Sequence, residues 1–223
     1  YFLIAKEVGD LSRIFCAVLE AKAVKKAPGM AGFWRGFTGA PRPVLPPDGW
    51  FFIDAGRVNV VDEDCFARHP IAVLKLFAVA DERKIGVHPD ALKSVRRSLA
   101  RVSARLRDDP QSNELFLRLL CDSGDPEKTL RRLTEAGVLA RFLPAFGNIV
   151  AMMQFNMYHH YTVDEHLIRA VGALSAIERG ALREEHPVAS DIIHSIVGRR
   201  ALYLAVLLHD IAKGRPEHHA VAG

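Results

Sequence analysis

The sequence has few cysteines and no long apolar run. Its three cysteines, Cys16, Cys65 and Cys121, are widely spaced and form no CxxC pair, so neither a disulfide framework nor a zinc ribbon is indicated. Cysteine usage of this kind is typical of a reducing compartment and predicts a cytoplasmic protein. No apolar stretch reaches the roughly 18 residues of a membrane-spanning helix, so no membrane contact is predicted.

The chain also lacks an initiating Met, a signal-peptide layout and any internal repeat. It begins within a helical pattern and stops soon after its most informative motif, so we expect a fragment of a longer protein. With 223 residues, 49% of them hydrophobic, it is long enough for one large or two small globular domains. Its net charge of +4 fits an anionic substrate but only weakly favours one.

The apolar pattern predicts the fold class. Hydrophobic residues recur at helical spacing over residues 1–26 and again from residue 69 almost to the end. Between them, at about residues 28–62, a Gly/Pro-rich loop leads into two β-like runs, 50–54 and 57–61, which predict a hairpin. The sequence therefore predicts a mainly α fold, a helical bundle with a small β-hairpin insertion.

Several residues mark helix boundaries in the middle of the chain. Pro89 begins a predicted helix whose apolar stripe continues to Leu106. Asp125 followed by Pro126 is typical of an N-cap and a first helical residue. Gly137 fits the end of that helix.

Two predicted helices near the end of the chain carry the candidate chemistry. Thr162 and Glu165 have capping-box spacing, which predicts a helix from there to about Gly180. Residues 199–213 form the last predicted helix, which Gly214 ends. Its apolar run is hydrophobic on nearly every side, which predicts a buried central helix of the bundle.

The most informative motif is the adjacent pair His209 and Asp210 at the end of this apolar run. A buried helix should not end on these residues unless they are paired or bind a metal. His166 lies early in the preceding predicted helix, and packing of the two helices would bring it near the pair. We therefore predict His166, His209 and Asp210 as the ligands of a divalent metal ion, in a metal-dependent phosphohydrolase.

His209 and Asp210 are also the predicted catalytic residues, together with Lys213, which could hold a phosphate oxygen. His218 and His219 follow closely and are candidates for an additional ligand or an acid. Mg²⁺ or Mn²⁺ is the first choice of metal, with Fe or Zn as alternatives. Such an ion lowers the pKa of a bound water and neutralises phosphate oxygens.

Residues 160–223 resemble the HD phosphohydrolase superfamily, whose signature is a distant His, an adjacent His-Asp pair and a later Asp. Here His166 is the first element and His209-Asp210 is the pair. No later Asp follows before Gly223. The resemblance implies a partial all-α HD-type domain whose metal site is incomplete within this chain.

Three longer stretches, residues 1–15, 125–147 and 152–166, together with the run His209-Asp210-Ile211-Ala212-Lys213-Gly214, narrow the resemblance. They are similar to bacterial PII uridylyltransferase/uridylyl-removing enzymes. That family implies a multifunctional enzyme of nitrogen regulation. Its nucleotidyltransferase domain attaches UMP from UTP to a tyrosine of the PII signalling protein, its HD domain hydrolyses the tyrosyl-UMP bond, and its ACT domains sense glutamine.

The resemblance implies two segments in this chain. Residues 1–150 would be a helical linker region that follows an absent nucleotidyltransferase domain, and residues 151–223 the N-terminal part of the HD domain. The implied partner is PII protein uridylylated on Tyr, and glutamine would act through ACT domains that this chain lacks. We expect the chain alone to be weakly active or inactive.

One alternative is an RNA-binding region. Residues 70–80 and 85–89 also look like the neck of tRNA nucleotidyltransferases, and residues 93–107 are basic. Aromatic stacking groups are lacking in the basic stretch, so a solvated helix face is favoured and nucleic acid is not the predicted partner.

A second alternative is a non-catalytic regulatory docking module. In this interpretation residues 1–150 relay glutamine status between domains, and the incomplete ligand set reflects the absence of catalysis. Metal titration separates the two interpretations, because a docking module need not bind an ion.

Overall fold

The computed structural model describes residues 44–45, 47–153 and 161–215, together with scattered positions between residues 4 and 19. The fold is mainly α with one small sheet, as predicted. The chain forms two compact units, one ending at Arg101 and one beginning at Val102. The predicted domain boundary at residue 150 comes from the resemblance and stays a prediction.

The N-terminal segment is described only in part. The described positions between residues 4 and 19 are helical, in agreement with the helix predicted there. Residues 20–43, which include most of the predicted Gly/Pro-rich loop, lie outside the described residues. Within the described residues, none of the helices combines the length and apolar character needed to cross a bilayer.

The first unit contains a four-stranded sheet with the order β1-β2-β3-β4. The strands are β1 (Val44–Leu45), β2 (Phe51–Asp54), β3 (Arg57–Val60) and β4 (Gly86–Val87). The antiparallel pair β2–β3 is the predicted hairpin. Ala55 and Gly56 connect it with φ angles of 47° and 71°, as a type I′ turn requires. Strand β4 adds to β3 in parallel.

After strand β3, the described part of this unit contains three α-helices and a 3₁₀ turn. They are α1 (Cys65–Arg68), α2 (Ala72–Glu82), α3 (Pro89–Arg97) and the turn Leu99–Arg101. Helix α3 begins at Pro89 as predicted, and the Nδ1 atom of His88 accepts the Asp90 N–H at 3.2 Å. The prediction that this helix continues to Leu106 is wrong. Ser98 and Ser103 bracket the break, and serine side chains favour helix ends over helix interiors.

The second unit is helical in its described part. Its α-helices are α4 (Ala104–Arg107), α5 (Pro110–Leu117), α6 (Pro126–Glu135), α7 (Val138–Phe142), α8 (Pro144–Gly147), α9 (Val163–Glu178), α10 (Pro187–Ile192) and α11 (Arg199–Leu208). Shorter turns are the π-helical Arg118–Asp122 and the 3₁₀ turns Ile193–Ser195 and Ile211–Gly214. The predicted N-cap is confirmed, because the Asp125 carboxylate accepts the Lys128 N–H at 3.0 Å. Gly137 follows the end of α6 with a φ of 78°.

Helix α9 lies between α6 and α11 and organises this unit. Its buried residues include Leu167 and Val171. Helix α11 buries only Tyr203 and Leu207 among its ten residues, and Ala205 is exposed. The prediction of a helix buried on nearly every side is therefore wrong in this structure, because the described residues pack against one face of α11 only.

Candidate metal centre

Three side chains, one on a helix and two just past the end of another, converge near the end of the described chain. His166 lies in the first turns of α9, and His209 and Asp210 follow directly after α11. Their potential ligand atoms lie within 4.8 Å of one another. Asp210 Oδ2 is 3.6 Å from His209 Nε2 and 4.0 Å from His166 Nε2. The structure thus brings the three residues together, and their role as metal ligands stays a prediction.

The helix end sets the orientation of His209. The last helix was expected to continue to Lys213, but α11 stops at Leu208 and a separate 3₁₀ turn begins at Ile211. His209 Nδ1 donates to the Val206 carbonyl at 2.8 Å. With the proton on Nδ1, Nε2 keeps its lone pair, and this atom lies 3.6 Å from Asp210 Oδ2. A backbone carbonyl commonly orients a metal-binding imidazole in this way.

Asp210 is paired with Lys213 across one turn. The Lys213 Nζ donates to Asp210 Oδ2 at 2.7 Å, and the two side chains are only 12% and 16% exposed. Burial acts to raise the pKa of Asp210, but the hydrogen bond and charge of Lys213, with smaller contributions from His209 and His166, hold that pKa below its ordinary value. Asp210 is therefore ionised at neutral pH, as a carboxylate ligand must be.

Gly214 closes the turn that carries this pair. A Cβ atom at Gly214 would lie 2.8 Å from Asn148 Cβ and 3.0 Å from Ile149 Cγ2. The sequence indicated only that Gly214 ends a helix. The structure shows that the glycine allows the turn to press directly against residues 148–149, which fixes the position of Asp210 relative to the rest of the unit.

The donor set fits a divalent ion with open positions. Two imidazoles and one carboxylate leave room for water and a substrate oxygen. Both histidine side chains are 44% exposed, so they are open to solvent. Within the described part of the chain, this is the one group of three or more such side chains with metal-binding spacing. His218 and His219 lie outside the described residues.

Sequence reasoning missed the residues that support this centre. The predicted capping box is not formed: Thr162 is the N-cap of α9, but its side chain makes no capping hydrogen bond. The Glu165 carboxylate is engaged by Arg131 and Arg169. The only sequence signal for this arrangement is the four-residue spacing of Glu127–Arg131 and Glu165–Arg169.

Fold and centre together define a class, a mainly α protein with a candidate divalent-metal site. Residues 51–142 match the family model described as the uridylyltransferase GlnD third domain. The match confirms the predicted resemblance, and the chain is GlnD-like over this segment. The metal-centre residues lie beyond it in the sequence. No solved structure matches the chain.

Proposed function

We propose that this chain carries part of a metal-dependent phosphodiester hydrolase that removes UMP from a tyrosine of uridylylated PII protein. The convergence of His166, His209 and Asp210 is the observation that carries the proposal. The GlnD-like segment upstream supports the choice of substrate, because it relates the chain to uridylyltransferases. The parent enzyme would also attach UMP from UTP.

In this proposal, His166, His209 and Asp210 would hold the ion, Mg²⁺ or Mn²⁺ in the first place and Fe or Zn as alternatives. A divalent ion supplies a Lewis acid for phosphate oxygens and lowers the pKa of water. The overall reaction adds water across the phosphorus–oxygen bond to tyrosine, which releases UMP and restores the tyrosine hydroxyl.

The protein groups have separate tasks in this reaction. The Val206 carbonyl keeps the His209 Nε2 lone pair available. Lys213 keeps Asp210 ionised and places a positive charge beside it, where it can neutralise a phosphate oxygen. The exposed histidines suit a phosphodiester presented on another protein, because a macromolecular substrate cannot enter a closed pocket.

A double substitution tests the proposal in the parent enzyme. We expect His209→Ala with Asp210→Ala to abolish UMP removal and to spare UMP attachment, because the two activities would reside in different domains. Both activities can be assayed on PII protein. Normal UMP removal by the double variant would contradict the assignment.

The structure gives less support to the RNA-binding alternative. Arg97 in the basic stretch pairs with Glu63 at 2.7 Å, and Arg107 donates to the Arg141 carbonyl at 3.3 Å. These cations already have protein partners, in agreement with a structural role. Metal titration separates the docking alternative from the hydrolase, because only the hydrolase requires a bound ion.

A further inference from the structure

An arginine of the GlnD-like segment forms a two-bonded ion pair with the helix that carries His166. Arg131 Nη1 donates to Glu165 Oε2 at 2.6 Å, and Nη2 donates to Glu165 Oε1 at 2.9 Å. Nη2 also contacts Glu127 Oε1 at 2.9 Å. Paired parallel bonds of this kind fix the direction of both side chains, which a single bond does not.

The pair formed by Arg131 and Glu165 is half-buried. The Arg131 side chain is 34% exposed and that of Glu165 is 24% exposed. Arg169 Nε also donates to Glu165 Oε1 at 2.7 Å. Both carboxylate oxygens of Glu165 are therefore held by hydrogen bonds, which fixes the direction of this side chain.

Glu165 and His166 project in different directions from α9. Successive residues of an α-helix point about 100° apart. Glu165 reaches Arg131 on α6, whereas His166 reaches the pair after α11. Metal–ligand distances tolerate a deviation of only about 0.2 Å. A small rotation or shift of α9 would therefore move His166 out of a coordinating position. The contact of Glu165 with Arg131 restrains such a movement.

A second contact brings the same two helices close together. A Cβ atom at Gly172 of α9 would lie 2.9 Å from Glu127 Cβ of α6, closer than two such carbons can approach. The capping box that the sequence favours at the start of α9 is not formed. Glu165 pairs with Arg131 of α6, and the Thr162 side chain makes no capping hydrogen bond. Loss of a local preference in favour of a distant contact is a common mark of a functional requirement.

From these contacts we propose that Arg131 is a positioning residue, which sets the rotation of α9 and thereby the place of His166 in the metal centre. The proposal rests on the proposed function of that centre. It gives the GlnD-like segment, which contains Arg131 but none of the three predicted ligands, a direct part in building the site.

The test compares Arg131→Gln with the wild-type chain by two measurements. Calorimetric titration with Mn²⁺ should show an affinity lowered by roughly 10–100-fold, as for other residues that orient a ligand. In the absence of metal, amide hydrogen exchange over residues 163–168 should be faster in the variant than in the wild-type chain. Arg131→Lys keeps the charge but not the planar fork, so it should restore the affinity only partly.

Arg97→Gln is the matched control. It removes an arginine that pairs with Glu63 at 2.7 Å in the other unit, and both measurements should stay at their wild-type values. Loss of exchange protection throughout the second unit would show that Arg131→Gln does not fold normally. In that case Glu165→Gln, which removes the α9 partner of the same ion pair, is used in both measurements.

Equal Mn²⁺ affinity and equal exchange over residues 163–168 in Arg131→Gln and wild type would overturn the positioning role. Absence of Mn²⁺ binding to the wild-type chain would instead contradict the proposed function of the centre. Exchange over residues 163–168 then decides the role of Arg131 by itself, since it reports the hold on α9 without metal.

Discussion

Substitution of Gly214 by Ala tests whether close packing holds the turn after the His-Asp pair. Gly214 is not among the residues with positive φ, so its backbone accepts an alanine and any cost arises from lack of space. The added Cβ would lie 2.8 Å from Asn148 Cβ and 3.0 Å from Ile149 Cγ2. Neither neighbour can yield easily, because a Cβ atom moves only with its backbone and Ile149 is fully buried.

The expected loss follows from these distances. Overpacking a well-packed site costs about 1–3 kcal/mol. In a chain of this size each kcal/mol lowers the melting temperature by about 2–4 °C, so Gly214→Ala should melt roughly 2–12 °C lower. The same turn carries Asp210 and Lys213, so its displacement should also weaken Mn²⁺ binding. Thermal unfolding by circular dichroism and calorimetric titration measure the two effects.

Gly124→Ala is the control for this substitution. A Cβ atom at Gly124 would meet no heavy atom within 4 Å, and its φ is not positive, so we expect a change within about 0.5 kcal/mol. If Gly214→Ala melts at or above the wild-type temperature and binds Mn²⁺ normally, close packing of Gly214 against Asn148 and Ile149 does not hold the turn.

Two further predictions follow from the pKa shifts. Burial raises the pKa of the Cys65 and Cys121 thiols to about 11. A thiol reagent at mildly alkaline pH should therefore label the exposed Cys16 first and the two buried cysteines only when the chain unfolds. Rapid labelling of all three cysteines in the folded chain would contradict this prediction. The hydrogen bond from Arg199 holds the pKa of Glu178 below its ordinary value of 4.5, against the effect of burial. The Glu178–Arg199 pair therefore stabilises the folded chain at neutral pH, and this stabilisation is lost as the pH falls below about 4.5. Glu178→Gln should therefore flatten the acid side of the melting-temperature profile, and an unchanged profile would refute this.

The parts of the fold that sequence could predict are those set by neighbouring residues. The hairpin, the start of α3 at Pro89 and the cap at Asp125 each depend on a few adjacent residues. Strands β1 and β4 were missed because each has two residues, too few to show a period of two. They exist because neighbouring strands offer hydrogen-bond partners.

Helix ends and burial were less predictable because they depend on packing. The apolar run of residues 201–208 indicated burial on nearly every side, whereas in the described structure only Tyr203 and Leu207 of α11 are buried. Apolar composition shows that a face can be buried, but not what covers it. The end of α11 at Leu208 likewise had no glycine or proline to mark it.

The candidate centre was predictable in its members and not in its support. The adjacency of His209 and Asp210, and the three-residue step to Lys213, are visible in the sequence. The contact between Arg131 and Glu165 joins residues 34 positions apart, and no local pattern indicates it. Such support depends on how α6 and α9 pack.

The most direct test of the metal centre is calorimetric titration of the chain with Mn²⁺. The wild-type chain should bind the ion, and His166→Ala should lower the affinity by at least roughly 10-fold. His186→Ala removes an exposed histidine outside the cluster and should leave binding unchanged. A wild-type chain that binds no Mn²⁺, or a His166→Ala variant that binds it as tightly as the wild type, would contradict the assignment of His166, His209 and Asp210 as ligands.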